Sequence, residues 1–195
     1  MDTWKKIKPK VLEGVLQEAQ FEWWFAGGWA LDLWLGRETR AHGDLDFTIF
    51  RSHFSALYFL LKNDFEFYIA TKGSLNKIKS VSDLERSDWN VWIKEKGAHE
   101  WSFQCLISDE IDQQWTYRRN QKIKRDKKLF GLMAKSSERI IAPEIQLLFK
   151  SKLQNNKDQV DFDNVVPLLS VSQKQWLRNS LKATYDYDHP WLNTL

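Results

Sequence analysis

The stretch AGGWALDLWLGRETRAHGDLDFTIF, residues 26–50, decides the reading of the fold. Two glycines, Gly27 and Gly28, lead into a helical run from Trp29 to Leu35, and Gly36 follows where a left-handed helix cap is common. The polar, turn-like TRAHGD then gives way to LDFTIF, which reads as a strand. On a strand, residues two apart share a face, so Asp44 and Asp46 project side by side with Cβ atoms roughly 6–7 Å apart, and Leu45 turns to the core. Two carboxylates that close repel one another, and one pKa rises unless a cation joins them. Mg²⁺ suits the arrangement, because it takes one or two protein carboxylates and leaves its other positions to water and phosphate oxygens. A pair of such ions holds the attacking and leaving oxygens of a phosphoryl transfer. Gly27 and Gly28 complete the logic, since glycines at a helix start let backbone amides approach a phosphate without Cβ obstruction.

Working outward, apolar residues at Trp4, Ile7, Val11, Leu12, Val15, Leu16 and Ala19 have the spacing of an amphipathic helix over residues 3–20, with Pro9 in its first turns or marking its true start. Phe21 to Ala26 suits a brief buried strand. A helix over 53–61 and a strand over 65–70 follow, and residues 71–88 read as a long loop or an irregular edge. Residues 91–94 and 101–107 are strand-like and joined by EKGAHE, whose glycine a hairpin turn would use. From Pro143 the character becomes helical: PEIQLLFKSKL, VDFDNVVPLL, and SQKQWLRNSLKATYDY with Ser172 as N-cap. The expected fold class is α+β, a mixed-sheet core over residues 1–142 with a C-terminal helical lobe over 143–195.

Composition narrows the function classes. With 195 residues, 43% apolar and 14% aromatic, among them 11 tryptophans, the chain is long and apolar enough for a core without disulfides. The formal charge of +3 is too small to argue for nucleic acid, although YRRNQKIKRDKK, residues 117–128, concentrates the basic residues and reads as a solvated loop or edge strand. Cys105 is a lone thiol in an apolar stretch and reads as structural. No signal segment opens the chain and no apolar run approaches a membrane span, so the sequence reads as cytoplasmic, with no membrane partner and nucleic acid disfavoured. Arg37 and Arg40 are candidates to steady a triphosphate, and His42 is either a turn residue or a substrate contact.

GGWALDLWLGRETRAHGDLDF resembles the signature of the small antibiotic nucleotidyltransferases, close to the aminoglycoside 2''-adenylyltransferases and the lincosamide nucleotidyltransferases of the DNA polymerase beta type superfamily. PEIQLLFKSK with KDQVDFDNVVPLL is similar to the helical region of the lincosamide enzymes. The resemblance covers residues 22–50 and 140–170. It implies Mg²⁺-dependent transfer of a nucleoside monophosphate from an NTP, usually ATP, to a hydroxyl of a small molecule, in a monomer or homodimer. Carried over, Gly27, Gly28, Asp44 and Asp46 match the phosphate-cradling and metal-holding positions. Trp29, Arg40, His42, Arg118, Lys150 and Lys157 are expected around the nucleotide, and Trp89, Trp92 or Trp115 could stack on a base or sugar. The family's third carboxylate falls in WSFQCLISDE, where Gln104 stands at the expected place. Asp109 is the favoured replacement, Glu100 the alternative, and an absent base the remaining possibility.

Overall fold

The computed structural model describes residues 3–71, 73–152 and 155–195. Ten strands and six α-helices are found among them. In chain order they are α1 (Pro9–Val15), β1 (Trp23–Phe25), α2 (Gly27–Leu35), β2 (Asp46–Phe50), α3 (Phe54–Leu61), β3 (Phe65–Thr71), β4 (Ser74–Ile78), β5 (Asn90–Glu95), β6 (Phe103–Ile111), β7 (Gln114–Thr116), β8 (Lys124–Asp126), β9 (Gly131–Met133), β10 (Arg139–Ile141), α4 (Pro143–Lys150), α5 (Asn156–Val165) and α6 (Val171–Thr184). The arrangement is α+β with a mixed sheet. The chain forms two compact units: the part up to Trp29 with Ala41–Ser108, and Ala30–Arg40 with Asp109–Leu195.

In the first unit the strands run β4-β3-β5-β6-β2-β1. The β2–β6 pair is parallel and the other pairs are antiparallel. Alternation gives the sheet two different faces. Phe67, Ile93, Phe103, Val91, Cys105, Phe47 and Phe25 are buried on one face, and α3 brings Phe54 and Tyr58 against Phe67 there. On the other face, register sets Tyr68 opposite Trp92, Trp92 opposite Gln104, and Gln104 opposite Asp46.

In the second unit the far end of β6 pairs with β7, β7 pairs with β8, and β9 pairs antiparallel with β10. Trp115 of β7 packs against Phe149 of α4 and Trp176 of α6, and Arg125 of β8 donates to Glu144 of α4 at 2.6 Å. These contacts tie 109–142 to the helices.

Where the sequence left alternatives open, the structure selects among them, and one local expectation changes. The first helix starts at Pro9, the later of the two starts the sequence allowed, because Trp4 is extended and forms a parallel bridge with Trp101. Residues 71–88 include the edge strand β4, paired with β3. The basic run takes its edge-strand alternative, with β8 paired to β7. The N-cap of α6 is Ser170, not Ser172: its hydroxyl accepts from the Gln173 amide while the Gln173 side chain accepts from the Ser170 N–H, a reciprocal capping box.

Candidate active site

Gly27 opens α2 with φ +65, a left-handed conformation that side chains resist. A Cβ there would lie 2.0 Å from Asp46 Oδ2 and 2.8 Å from its Cγ. The absence of a side chain at Gly27 is therefore what seats the Asp46 carboxylate against the start of the helix. The Ala26 N–H donates to the Asp46 carbonyl at 3.0 Å and fixes the two segments in register. A carboxylate at a helix start is favoured by the helix dipole. Asp44 is exposed, in a bend just ahead of β2, so strand alternation does not set its direction as the sequence suggested.

Gln104 is the direct cross-strand neighbour of Asp46. An amide stands beside the catalytic candidate, and an amide takes no proton at neutral pH. Asp109 is five residues further along β6, about 17 Å at strand rise and on the opposite face by alternation, where it pairs with Thr116. Strand geometry thus separates Asp109 from Gln104. Glu100 is exposed in the β5–β6 turn.

Trp29 is buried, with the His42 ring against it at 4.4 Å between centroids and the Lys8 ammonium 4.9 Å from its ring centre. This tilted ring contact holds His42 in the loop that carries Asp44.

A second set of residues belongs to the second unit. Thr39 donates from its hydroxyl and its backbone N–H to the Asp32 carboxylate, at 2.6 and 3.1 Å, which secures the loop after α2. Arg40 donates from Nε and Nη2 to the two oxygens of Asp161, both at 2.9 Å. Lys150 reaches Asp161 at 2.7 Å and Asp158 at 3.0 Å. Arg40 and Lys150 thus meet over a carboxylate that is only 2% exposed. Burial alone would raise the Asp161 pKa, yet the Arg40 and Lys150 partners hold it below its ordinary value. The same pairing raises the Arg40 pKa against the effect of burial.

A carboxylate with a lowered folded pKa contributes stability above the ordinary carboxylate range near pH 4 and loses it as pH falls through the folded value. Thermal melts between pH 7 and pH 3 are expected to show the second unit weakening only below about pH 4. An unchanged melting temperature across that window would remove the network from the stability account.

The remaining expected nucleotide residues are dispersed. Lys157 is exposed in the first turn of α5. Arg118 is half-buried over Phe149, its pKa lowered by burial and then by Arg119. Arg119 donates to the Tyr117 hydroxyl and to the Phe149 carbonyl. The basic run is largely engaged within the fold, since Arg125 pairs with Glu144 and Lys127 with Glu110. Asp32, Asp158 and Asp161 escaped the sequence reading. A carboxylate in the apolar run GGWALDLWL was a signal for Asp32, and the i, i+3 spacing of Asp158 and Asp161 was one for a shared helix face.

Among the described residues no group of three or more His, Cys, Asp or Glu could hold a metal ion. Asp44 and Asp46 are two carboxylates, the number Mg²⁺ takes from a protein when phosphates and water supply the rest, so these residues fit that ion. No described helix is long and apolar enough to cross a membrane.

The family model for aminoglycoside-2''-adenylyltransferase matches residues 10–149, a span that includes Gly27, Asp46 and Gln104. The chain belongs to the aminoglycoside-2''-adenylyltransferase family. As a member of that family it is a nucleotidyltransferase. No curated protein matches it. Solved structures share the fold at low identity. A lincosamide antibiotic adenylyltransferase, LnuA, solved with lincomycin bound, is 17% identical with a TM-score of 0.58, over 85% of this chain and 100% of that one. ANT(2'')-Ia in complex with adenylyl-2''-tobramycin is 14% identical with a TM-score of 0.57, over 87% and 92%. The solution structure of ANT(2'')-Ia is 16% identical with a TM-score of 0.57, over 89% and 88%.

Proposed function

We propose that this member of the adenylyltransferase family moves a nucleoside monophosphate from an NTP, with ATP the leading donor, to a hydroxyl of a small-molecule acceptor in the antibiotic class. The observation that carries the reading is the seating of Asp46 over Gly27 at the start of α2, with Asp44 just upstream. The acceptor oxygen bonds to the α-phosphorus, the bond from that phosphorus to the oxygen bridging to the β-phosphate breaks, and pyrophosphate leaves with the electron pair. Asp44 and Asp46 would hold Mg²⁺, one ion or two, which supplies charge neutralisation at the phosphates. Gly27 and Gly28 present backbone at the helix start, where negative charge is favoured. Trp29 and His42 orient the loop before β2 and flank the nucleotide. Arg40 and Lys150 act through Asp161, as positioning residues for the segments they hold.

The proton of the acceptor hydroxyl leaves to water or to a base other than Gln104. Asp109 and Glu100 remain the named alternatives, with strand geometry weighing against the first. A positioned base contributes about 10²- to 10⁴-fold, so its absence gives a slow transferase. Gln104→Asp is accordingly expected to raise kcat by at least about 10-fold with the KM for nucleotide unchanged, read as pyrophosphate release. A rate at or below wild type would show that position 104 does not serve the proton.

The test of the whole reading is pyrophosphate release from ATP, GTP, CTP and UTP with Mg²⁺ and a panel of hydroxyl acceptors. Acceptor-dependent release that vanishes in Asp44→Asn and Asp46→Asn supports it. A second reading, a nucleotide binder with weakened catalysis, is favoured by the Gln104 amide beside Asp46. Mg²⁺-dependent nucleotide binding without release for any acceptor, in wild type and in Gln104→Asp alike, selects that second reading.

A further inference from the structure

The row that starts at Asp46 and Gln104 continues into an aromatic patch. Trp92 is the cross-strand neighbour of Gln104, so its Cα lies about 10 Å from that of Asp46, two strand spacings away on the same face. Trp4 meets Trp92 edge-on at 4.9 Å between ring centres, Trp101 meets it at 5.3 Å, and Tyr68 meets Trp101 at 5.1 Å. Trp4, Tyr68 and Trp92 are all half-buried, which leaves ring surface in reach of a ligand. The indole Nε1 of Trp92 and Oδ1 of Asn90, two residues before it on β5, are buried with no hydrogen-bond partner among the described residues. Buried polar groups without partners are few in folded proteins and call for an explanation.

Charge on this patch is positive. The Lys94 ammonium lies 5.4 Å from the Tyr68 ring centre and 5.3 Å from that of Trp101. Two acids border the patch and both are paired: Glu66 is shared between Lys77 and Lys94, and Glu95 takes Lys5. A polycationic acceptor would meet lysines over carboxylates that are already neutralised. A planar or apolar ring meets aromatic faces that favour stacking and edge contacts.

Resting on the transferase reading, we propose that Trp92, flanked by Trp4 and Tyr68, is the acceptor-selecting surface of this enzyme. It selects a neutral acceptor in which an aryl or apolar ring stands one sugar unit away from the reacting hydroxyl. The ring stacks on the tryptophan patch while the sugar crosses Gln104 toward Asp46.

The experiment measures binding of three probes to the full chain by calorimetry: 4-nitrophenyl β-D-glucopyranoside, methyl β-D-glucopyranoside, and the polycation tobramycin. Each is measured with and without Mg²⁺ and a non-hydrolysable ATP analogue, on wild type, Trp92→Ala and Trp92→Phe, with thermal melts to confirm folding. The expected result is at least a 10-fold preference of wild type for the aryl glycoside over the methyl glycoside. Trp92→Ala erases that preference, Trp92→Phe retains most of it, and analogue affinity stays within 2-fold in both variants. Equal binding of the two glycosides by wild type overturns the proposal, as does tightest binding of tobramycin. Loss of analogue affinity in Trp92→Ala with the aryl preference intact also overturns it, and reassigns the ring to the nucleobase. Wild type that prefers the aryl glycoside but binds no analogue retains the patch as a binding surface and overturns the transferase reading instead.

Discussion

Gly27→Ala is expected to cost about 10²- to 10³-fold in kcat, the range lost when one preorganised electrostatic element of a site is removed. The reason is geometric. The new methyl would stand 2.0 Å from Asp46 Oδ2, so either the carboxylate leaves its seat or the start of α2 moves. The φ of +65 adds roughly 1–2 kcal/mol of backbone strain for a residue with a Cβ. Pyrophosphate release, nucleotide affinity and a denaturant melt separate the two contributions. Activity should fall far more than the strain alone accounts for, and nucleotide affinity should fall with it. A variant that loses about 1–2 kcal/mol of stability but keeps its kcat would show that Asp46 does not work from this seat.

Asp161→Ala carries the largest expected effect on stability, about 3–5 kcal/mol, the usual cost of stranding the partners of a buried ion pair. Arg40 and Lys150 both point their charges at this one carboxylate, and their side chains are 17% and 12% exposed. Solvent therefore compensates little when it is removed. Asp161→Asn keeps the shape but not the charge, and should recover only a minor part. The double variant Asp161→Ala with Arg40→Met removes one stranded charge together with its partner, so it should be more stable than Asp161→Ala alone. Equal stabilities of the single and double variants would place the cost in packing rather than in charge.

The segment from Gly27 to Phe50 was readable because its signals are local: glycines at both ends of a helix, a polar turn, and a carboxylate opening an apolar strand. Asp161 was not readable, since its role depends on Arg40, 121 residues away in the chain. The strands β7 to β10 span three residues each, too short for a period of two to declare itself. Pro9 marked the true start of α1 against a wider apolar pattern. The apolar spacing from Trp4 onward fits a helix, but Trp4 is claimed by the aromatic patch and its bridge to Trp101. Gln104 could be singled out in the sequence, and only the parallel register of β2 and β6 sets it beside Asp46.

Cys105 gives this architecture a built-in clock. The chain has one cysteine, fully buried between Gln104 and Leu106, and burial pushes its thiol well above the ordinary range. A thiol held protonated and out of solvent reacts with an alkylating reagent only when the strand around it opens. Its neighbour in the parallel register is Phe47, the residue after Asp46. The alkylation rate of the unmodified chain therefore reports how often the sheet beneath Asp46 and Gln104 comes apart, and slowing of that rate by nucleotide would measure how firmly a ligand closes it.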